Sequence, residues 1–527
     1  MWRLALSGGL YLLGLYLLWQ TPYHLFQEPP LSLALLGIGL LLLSVLLGVG
    51  PPPLAWAWWG FGLLSLLWSL APGHTLVAAL WEVWPLLGLA AGRWRVGVLL
   101  LLAFLLLDGL YTALALWQAG LVVYISGSHH YLLGSIALGA LPLFLARTAR
   151  REGLLWPQGL LLVLALYGVL ISGARAVYLP LLFLLPLALL LLRKEGLGRR
   201  ALLLFLLALL WVGTLEALVP GNAILNALSL KAAQTRDEAQ GATGEGIGNV
   251  EARLLMARLA LRMAFQHPLG MGNGTYSQVF EAFMDYPGLP GVWSRSPHNY
   301  LLETLATGGV VRFGLLLLLL WPSVRALRGR DWPWALSALG LWAPMLFDVS
   351  GYYPSYLALA FLTLGAATPT LLPSPRPLGL GGVLAASLLA LLWYWPCGGY
   401  HCAQRHLFFP SYTQEALRQG SPEEASALLE EARRRYPLSP WPLLLALEGL
   451  SNGEARLEIA RELALRFPYA RESFYILWAK AALGAGRREE AKEALELGLR
   501  HFPSSHGLRS LWEGLRDPRQ TGPPKGP

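Results

Sequence analysis

Charge is what this chain has least of. Only 13% of its 527 residues are Asp, Glu, Lys or Arg, and 55% are hydrophobic, whereas a soluble domain carries about 25% charged residues. That shortage excludes an ordinary soluble enzyme. Cysteine is scarce too, with two in the whole chain, Cys397 and Cys402, so a disulfide-built scaffold is excluded. No His or Cys cluster has metal-ligand spacing, and His129-His130 reads as a bare interfacial pair in a loop. The net charge of +9 does not point to nucleic acid, because most basic residues sit in short loops between apolar runs.

Those apolar runs are what the chain has in abundance. Thirteen are legible, near 4–19, 31–48, 54–70, 74–91, 96–117, 131–146, 155–172, 176–192, 200–217, 299–321, 333–347, 354–368 and 379–395. Most approach the roughly 20 residues needed to cross a bilayer as a helix. The runs at 54–70, 74–91 and 333–347 are weak enough to be re-entrant. The first run lacks a small-residue cleavage site and is followed by further runs, so a retained span is expected. The expected fold is all-α, a polytopic bundle of about 12–13 transmembrane helices over residues 1–396.

Basic residues recur in alternate loops: Arg93 and Arg95; Arg147, Arg150 and Arg151; Arg193, Lys194, Arg199 and Arg200; Arg325, Arg328 and Arg330. The positive-inside bias makes those loops cytoplasmic. Alternation then puts a long polar loop, 218–298, on the external face, and thirteen spans put the C-terminus there as well. A disulfide between Cys397 and Cys402, in the linker 397–411, is compatible with that side, as are two free thiols. Beyond it the composition turns to Glu, Arg, Ala and Leu. Aromatic-Pro pairs recur at Tyr436-Pro437, Phe467-Pro468 and Phe502-Pro503, spaced 31 and 35 residues apart. That spacing brackets a tetratricopeptide period, so residues 412–516 are expected to form an α-solenoid of about three helix pairs. The Gly/Pro-rich tail 517–527 is expected to be disordered.

The loop 218–298 concentrates the chemistry. Arg253, Arg258 and Arg262 lie on an expected helix, with Arg258 and Arg262 on one face and Arg253 roughly opposite Arg262. The Arg258/Arg262 face suits lipid headgroups or acidic loop residues, which leaves Arg253 for a pocket. Gly270-x-Gly272-x-Gly274 lacks the register and the Lys of a nucleotide loop; it suits tight turns that bring backbone amides near an anion. His298 is a proton carrier for neutral pH, and Asn299 suits the cap of the next helix. Arg175, in Ser172-Gly173-Ala174-Arg175, is a lone cation on the positive-poor side, either a functional group or a snorkelling anchor. Guanidinium groups and one imidazole suit transfer chemistry on a lipid-linked phosphate. The acids Glu82, Asp108, Glu216 and Asp348 lie in or beside apolar runs and read as paired or interfacial.

Ser172-Gly-Ala-Arg175, Arg253 ahead of His267-Pro268-Leu269-Gly270-Met271-Gly272, and His298-Asn299-x-Leu301 with Gly308-Gly309 together resemble the O-antigen ligase/Wzy-C superfamily. Its members include O-antigen ligases, O-antigen polymerases and bacterial protein O-oligosaccharyltransferases. The specific motifs span residues 172–314. The resemblance implies a GT-C-like glycosyltransferase of the bacterial inner membrane that uses no metal or other cofactor. It would move a glycan from an undecaprenyl-pyrophosphate donor to a glycan, lipid or protein hydroxyl. By matching position, Arg175 and Arg253 would engage the donor pyrophosphate and His298 would be the catalytic histidine. Asn299, Gly270, Gly272 and Arg258 would support them. The chain departs from the pattern at Ala174, where Ser is common, and at Ala306-Thr307, where an acid is common before the glycine pair. Glu303 is out of register for that acid. The repeat domain would recruit a protein acceptor or assembly partner. Two other readings fit less of the chain: a lipid-linked oligosaccharide flippase or other secondary transporter, and an assembly protein merely anchored by its spans.

Overall fold

Helices and turns make up the fold, and no strand occurs among the described residues. The computed structural model describes residues 2–19, 30–118, 129–219, 222–229, 249–285, 296–369, 371–394, 421–449 and 453–516. The expectations for Cys397, Cys402, the linker 397–411 and the tail 517–527 lie outside the described residues. Among the described residues, seven helices are long and apolar enough to cross a membrane: Pro72–Ala91, Arg95–Ala115, Leu132–Arg150, Arg175–Lys194, Gly198–Leu218, Tyr300–Ala326 and Arg376–Tyr394. Leu31–Leu46, Leu155–Ile171 and Pro354–Ala367 are shorter apolar helices.

Two expected spans are shorter than a bilayer needs. Helix Pro53–Leu64, extended by one 3-10 turn, and helix Trp332–Trp342 have 12 and 11 residues. At 1.5 Å per residue the α-helical parts rise only about 16–18 Å, and the first reaches about 26 Å with its 3-10 turn, against a hydrocarbon core of about 30 Å. His129 and His130 open helix His129–Arg150 rather than standing in a loop.

The bundle has a protein-enclosed centre and a lipid-like rim. Residues 73–91 are wholly buried, whereas in Gly198–Leu218 the buried residues are Ala201, Ala208 and Val212, and Leu203, Leu210 and Trp211 face outward. Close approach at the centre depends on missing side chains. A Cβ at Gly92 would stand 2.1 Å from the Leu362 carbonyl oxygen, so helices Val83–Ala91 and Pro354–Ala367 meet backbone to backbone, as small residues allow inside membranes.

The bundle has two chemically different ends. At one, the basic loops meet: Arg95 pairs with Asp331 at 2.7 Å, Arg150 with Glu195, and Trp332 Nε1 donates to Glu195 at 2.7 Å. Hydrogen bonds from Arg150 first and Trp332 second, with the charges of Arg150 and Arg330, hold the half-exposed Glu195 carboxyl below its usual range. The loops assigned to one side by charge do converge on one end. Because Glu195 follows helix Arg175–Lys194 and Trp332 opens its neighbour, those two helices run antiparallel. Arg175 and the turn Pro344–Leu346 therefore belong to the opposite end.

Beyond the bundle lie helices Pro422–Arg435, Trp441–Gly449, Gly453–Arg466, Glu472–Gly484, Arg488–His501 and His506–Arg516, each packed on the next in sequence. The first begins with a full capping box, Ser421 with Glu424. Phe474, Trp478, Leu463 and Leu495 share one buried cluster with Leu259, Met263, Tyr276 and Phe280 of the polar loop. Arg471 Nε meets Glu281 Oε1 at 2.5 Å, with Glu281 almost wholly buried. The C-terminal helices thus sit on the loop's end of the bundle.

Candidate functional site at the loop end

The glycine-rich turn plugs a break in a helix. Helix Tyr300–Ala326 is interrupted at Gly309, whose φ of 76° and ψ of 176° are non-helical. A break frees backbone groups that have no water to turn to inside a bundle. The turn supplies the partners: Gly272 N–H donates to Thr307 O at 3.1 Å, and Val310 N–H donates to Pro268 O at 2.8 Å. A Cβ on Gly270 would lie 2.2 Å from the Thr307 oxygen, and one on Gly309 would lie 2.3 Å from the Leu269 carbonyl carbon. Both positions also have positive φ, so glycine is required twice over. Gly270 N–H donates to His267 O. The two amides expected near an anion are engaged with carbonyls instead, because docking the turn uses them.

Below the turn, three polar side chains close on one another. Asn273 Nδ2 donates to both Glu82 oxygens at 2.9 and 3.0 Å, Arg312 Nη2 donates to Glu82 Oε1 at 2.5 Å, and Arg312 Nη1 donates to Asn273 Oδ1. The Arg312 and Glu82 side chains are 1% and 3% exposed. Trp58 lies under the guanidinium, 4.5 Å from its ring centre, and Gly62 leaves the space for it, since a Cβ there would be 2.9 Å from Nε. Glu82 is the joint between helices Pro72–Trp81 and Val83–Ala91. This triad therefore ties the loop, the broken helix and the central helix Pro72–Ala91 together. A buried ion pair of this kind adds little net stability, but breaking it is costly.

His298 stands at the entry to helix Tyr300–Ala326. It is held at φ 52°, in the left-handed region uncommon for a residue with a side chain. Ser296 Oγ accepts its backbone N–H at 2.9 Å. Asn299 caps the helix, accepting from Leu302 N–H at 3.0 Å, while its Nδ2 donates to Leu346 O at 3.0 Å. That contact binds the His298 entry to the turn Pro344–Leu346, which also packs on helix Arg175–Lys194.

Arg253, on helix Asn249–Gln266, lies close enough to His298 to act on its charge. Burial first, and the Arg253 guanidinium second, lower the His298 pKa to about 4. The imidazole is neutral at pH 7, and its Nδ1 is buried with no hydrogen-bond partner. A neutral ring beside a cation can take a proton from a hydroxyl, provided an anion arrives to offset that cation.

Arg175 opens helix Arg175–Lys194, just after Gly173 at φ 62°. It is half-buried, at the same end as His298. Arg258 pairs with Asp285 at 3.3 Å and Arg262 with the same carboxylate at 2.9 Å, so acidic loop chemistry occupies that face. Glu216 accepts Ile224 N–H at 2.7 Å, and Asp348 caps the turn Val349–Tyr352.

A second buried polar set surrounds Glu303, which the sequence pattern leaves out of register for the family's acid. Glu303, 5% exposed, has one carboxylate oxygen without a hydrogen-bond partner. The Tyr352 hydroxyl lies beside Glu303 and Ser296, and burial, then Glu303, push its pKa well above the ordinary range. Sequence reasoning missed Arg312, although it is the lone basic residue inside the run 299–321, a signal in its own right.

Residues 160–319 match the family model described as O-antigen ligase, Wzy_C. That stretch contains Arg175, Arg253, the glycine-rich turn, His298 and Arg312. No curated protein matches the chain, and no solved structure does.

Proposed function

From the match of residues 160–319 to the O-antigen ligase family model, we propose that the protein moves a glycan from an undecaprenyl-pyrophosphate donor to an acceptor hydroxyl on the external face of the bacterial inner membrane. A membrane glycosyltransferase of ligase or polymerase type is what the family supports directly. The observation that carries the finer reading is the neutral, half-buried His298 beside Arg253 at the entry of a capped helix.

The donor pyrophosphate is received by Arg253 and Arg175, whose planar guanidinium forks suit phosphate oxygens. Its negative charge offsets Arg253, which removes one of the two causes depressing the His298 pKa. His298 then accepts the acceptor's proton as its oxygen attacks the anomeric carbon. The bond from that carbon to the pyrophosphate oxygen breaks with inversion. Undecaprenyl pyrophosphate leaves with its charge balanced by the two arginines. Donor binding thus makes the base competent, and an empty site keeps it weak.

The C-terminal helix pairs, read as tetratricopeptide-like, dock on the loop and suit presentation of a protein acceptor or assembly partner near the site. The test is glycan transfer by purified full-length protein from an undecaprenyl-pyrophosphate-linked glycan pool, reading release of undecaprenyl pyrophosphate. His298→Ala and Arg253→Ala should each reduce transfer by at least about a hundredfold, the scale of general-base and oxyanion-type contributions. Full activity in both folded variants would remove this site, and no transfer by the wild type over a broad donor and acceptor panel would remove the reaction.

A further inference from the structure

We propose that the basic end of the bundle, opposite His298, holds a phosphate-group site that takes the headgroup of an anionic phospholipid. A cavity of about 570 Å³ opens there, walled by Arg95, Arg147, Arg150 and Arg330 together with Glu152, Glu195 and Asp331. Asp331 pairs with Arg95 at 2.7 Å, Glu152 with Arg147 at 3.1 Å, and Glu195 with Arg150. Arg330 is the remaining cation, acting on Glu195 only through its charge. Four cations face three anions, so the cavity wall is one negative charge short.

The donor inventory is unbalanced in the same sense. Arg95 Nη2 and Arg147 Nε are buried and have no acceptor. A guanidinium N–H withdrawn from water without an acceptor is costly. A phosphodiester brings one negative charge and two free acceptor oxygens, the complement of this wall. Inorganic phosphate shares that chemistry, but the surroundings favour a lipid. Leu143 forms an apolar floor with no exposure, and Val96 at the rim is 62% exposed. From Val96 an apolar stripe continues along the outside of helix Arg95–Gln118 through Leu100, Phe104 and Leu107, each between 45% and 62% exposed. These residues recur at helical spacing, so they lie on one face. A headgroup in the cavity would lay an acyl chain on that stripe; a free ion would leave it unused. Basic pockets between membrane helices hold lipid phosphates by the same balance of charge.

The test does not depend on the proposed reaction. Full-length protein is reconstituted in nanodiscs of phosphatidylcholine with a minor share of phosphatidylglycerol, and the retained lipids are counted by native mass spectrometry. Wild type should retain phosphatidylglycerol preferentially. Arg330→Gln, at an exposed position, should lower that enrichment about fivefold, the effect of one basic residue near an anionic lipid. Arg328→Gln, exposed nearby but outside the cavity, should leave it unchanged. No preference in the wild type, or equal losses in both variants, would overturn the proposal in favour of a purely structural ion network or a diffuse surface field. Complete displacement of phosphatidylglycerol by millimolar inorganic phosphate or glycerol 3-phosphate would also overturn it, assigning the cavity to a soluble anion.

Discussion

Arg312→Met should destabilise the protein by about 3–5 kcal/mol, the range for removing one member of a buried ion pair. The magnitude follows from what is left behind. Glu82 would stay 3% exposed and would keep only the two hydrogen bonds from Asn273 Nδ2. Those two bonds soften the loss and place the expected value near 3 kcal/mol, while the contact with Trp58 returns some of it to the upper side. Methionine fills most of the volume, so a cavity contributes little. Equilibrium unfolding in mixed micelles, followed by tryptophan fluorescence, reads the difference.

The double variant Glu82→Gln/Arg312→Met separates charge from packing. With the carboxylate neutralised, no uncompensated charge remains, and stability should return to within about 1 kcal/mol of the wild type. A single variant costing less than about 1 kcal/mol would refute the view that the pair is sealed from water. A double variant as unstable as the single would refute the view that the cost is electrostatic. A second readout follows from Asn273, through which the triad holds the glycine-rich turn. Arg312→Met should loosen the 268–274 turn, seen as faster amide exchange at Gly272 and Val310, before the bundle itself unfolds.

Three other perturbations probe different parts of the site. His298 should titrate near 4 in imidazole NMR of the donor-free protein; Arg253→Gln should raise that value without reaching 6.5, because burial is the larger cause. Since the folded pKa lies below the unfolded one, His298 favours folding at neutral pH, and that contribution, on the order of 3 kcal/mol, is lost as pH falls from about 6.5 towards 4; His298→Asn should flatten the dependence. Gly309→Ala would drive a Cβ to 2.3 Å from the Leu269 carbonyl carbon, so the variant should lose protection of the 268–310 contacts in hydrogen exchange, and unchanged exchange would show that the break is not tightly docked. Arg471→Glu would face the buried Glu281 with a like charge and should cost about 2–4 kcal/mol of C-terminal docking, measured by protease release of residues 421–516. The swap Glu281→Arg/Arg471→Glu should recover part of it.

Most of the fold was legible in the sequence because membrane burial writes itself in long runs. Long helices such as Gly198–Leu218 and Tyr300–Ala326 follow from unbroken hydrophobicity, and the shared end of the basic loops follows from their alternation. The runs at 54–70 and 333–347, weak enough in the sequence to be re-entrant, hold short helices for a physical reason. Both lie among other helices, so they need no lipid-facing length, and tryptophan and proline there serve packing rather than spanning; Trp58 is wholly buried against Arg312 and Phe361. Composition cannot tell a buried half-length helix from a short span.

The site divides in the same way. Asn299 was legible as a cap because capping is local, set by a residue and the amide three positions on. His298 and Arg253 were legible as residue types, but their proximity is a product of packing between segments 45 residues apart. The triad was beyond reach, although both its ions carried a signal: Glu82 and Arg312 are single charges inside apolar runs, separated by 230 residues. Either charge alone implies a partner, because neither can be buried bare. Pairing them required knowing that Gly309 breaks the helix and that Asn273 fills the gap. The glycine-rich turn, expected to receive an anion through its amides, instead repairs a helix, and the negative charge it receives is the protein's own Glu82, through Asn273. In the proposed mechanism, that substitution leaves the donor's charge to Arg175 and Arg253 and sets the proposed base, His298, on the capped half of the broken helix.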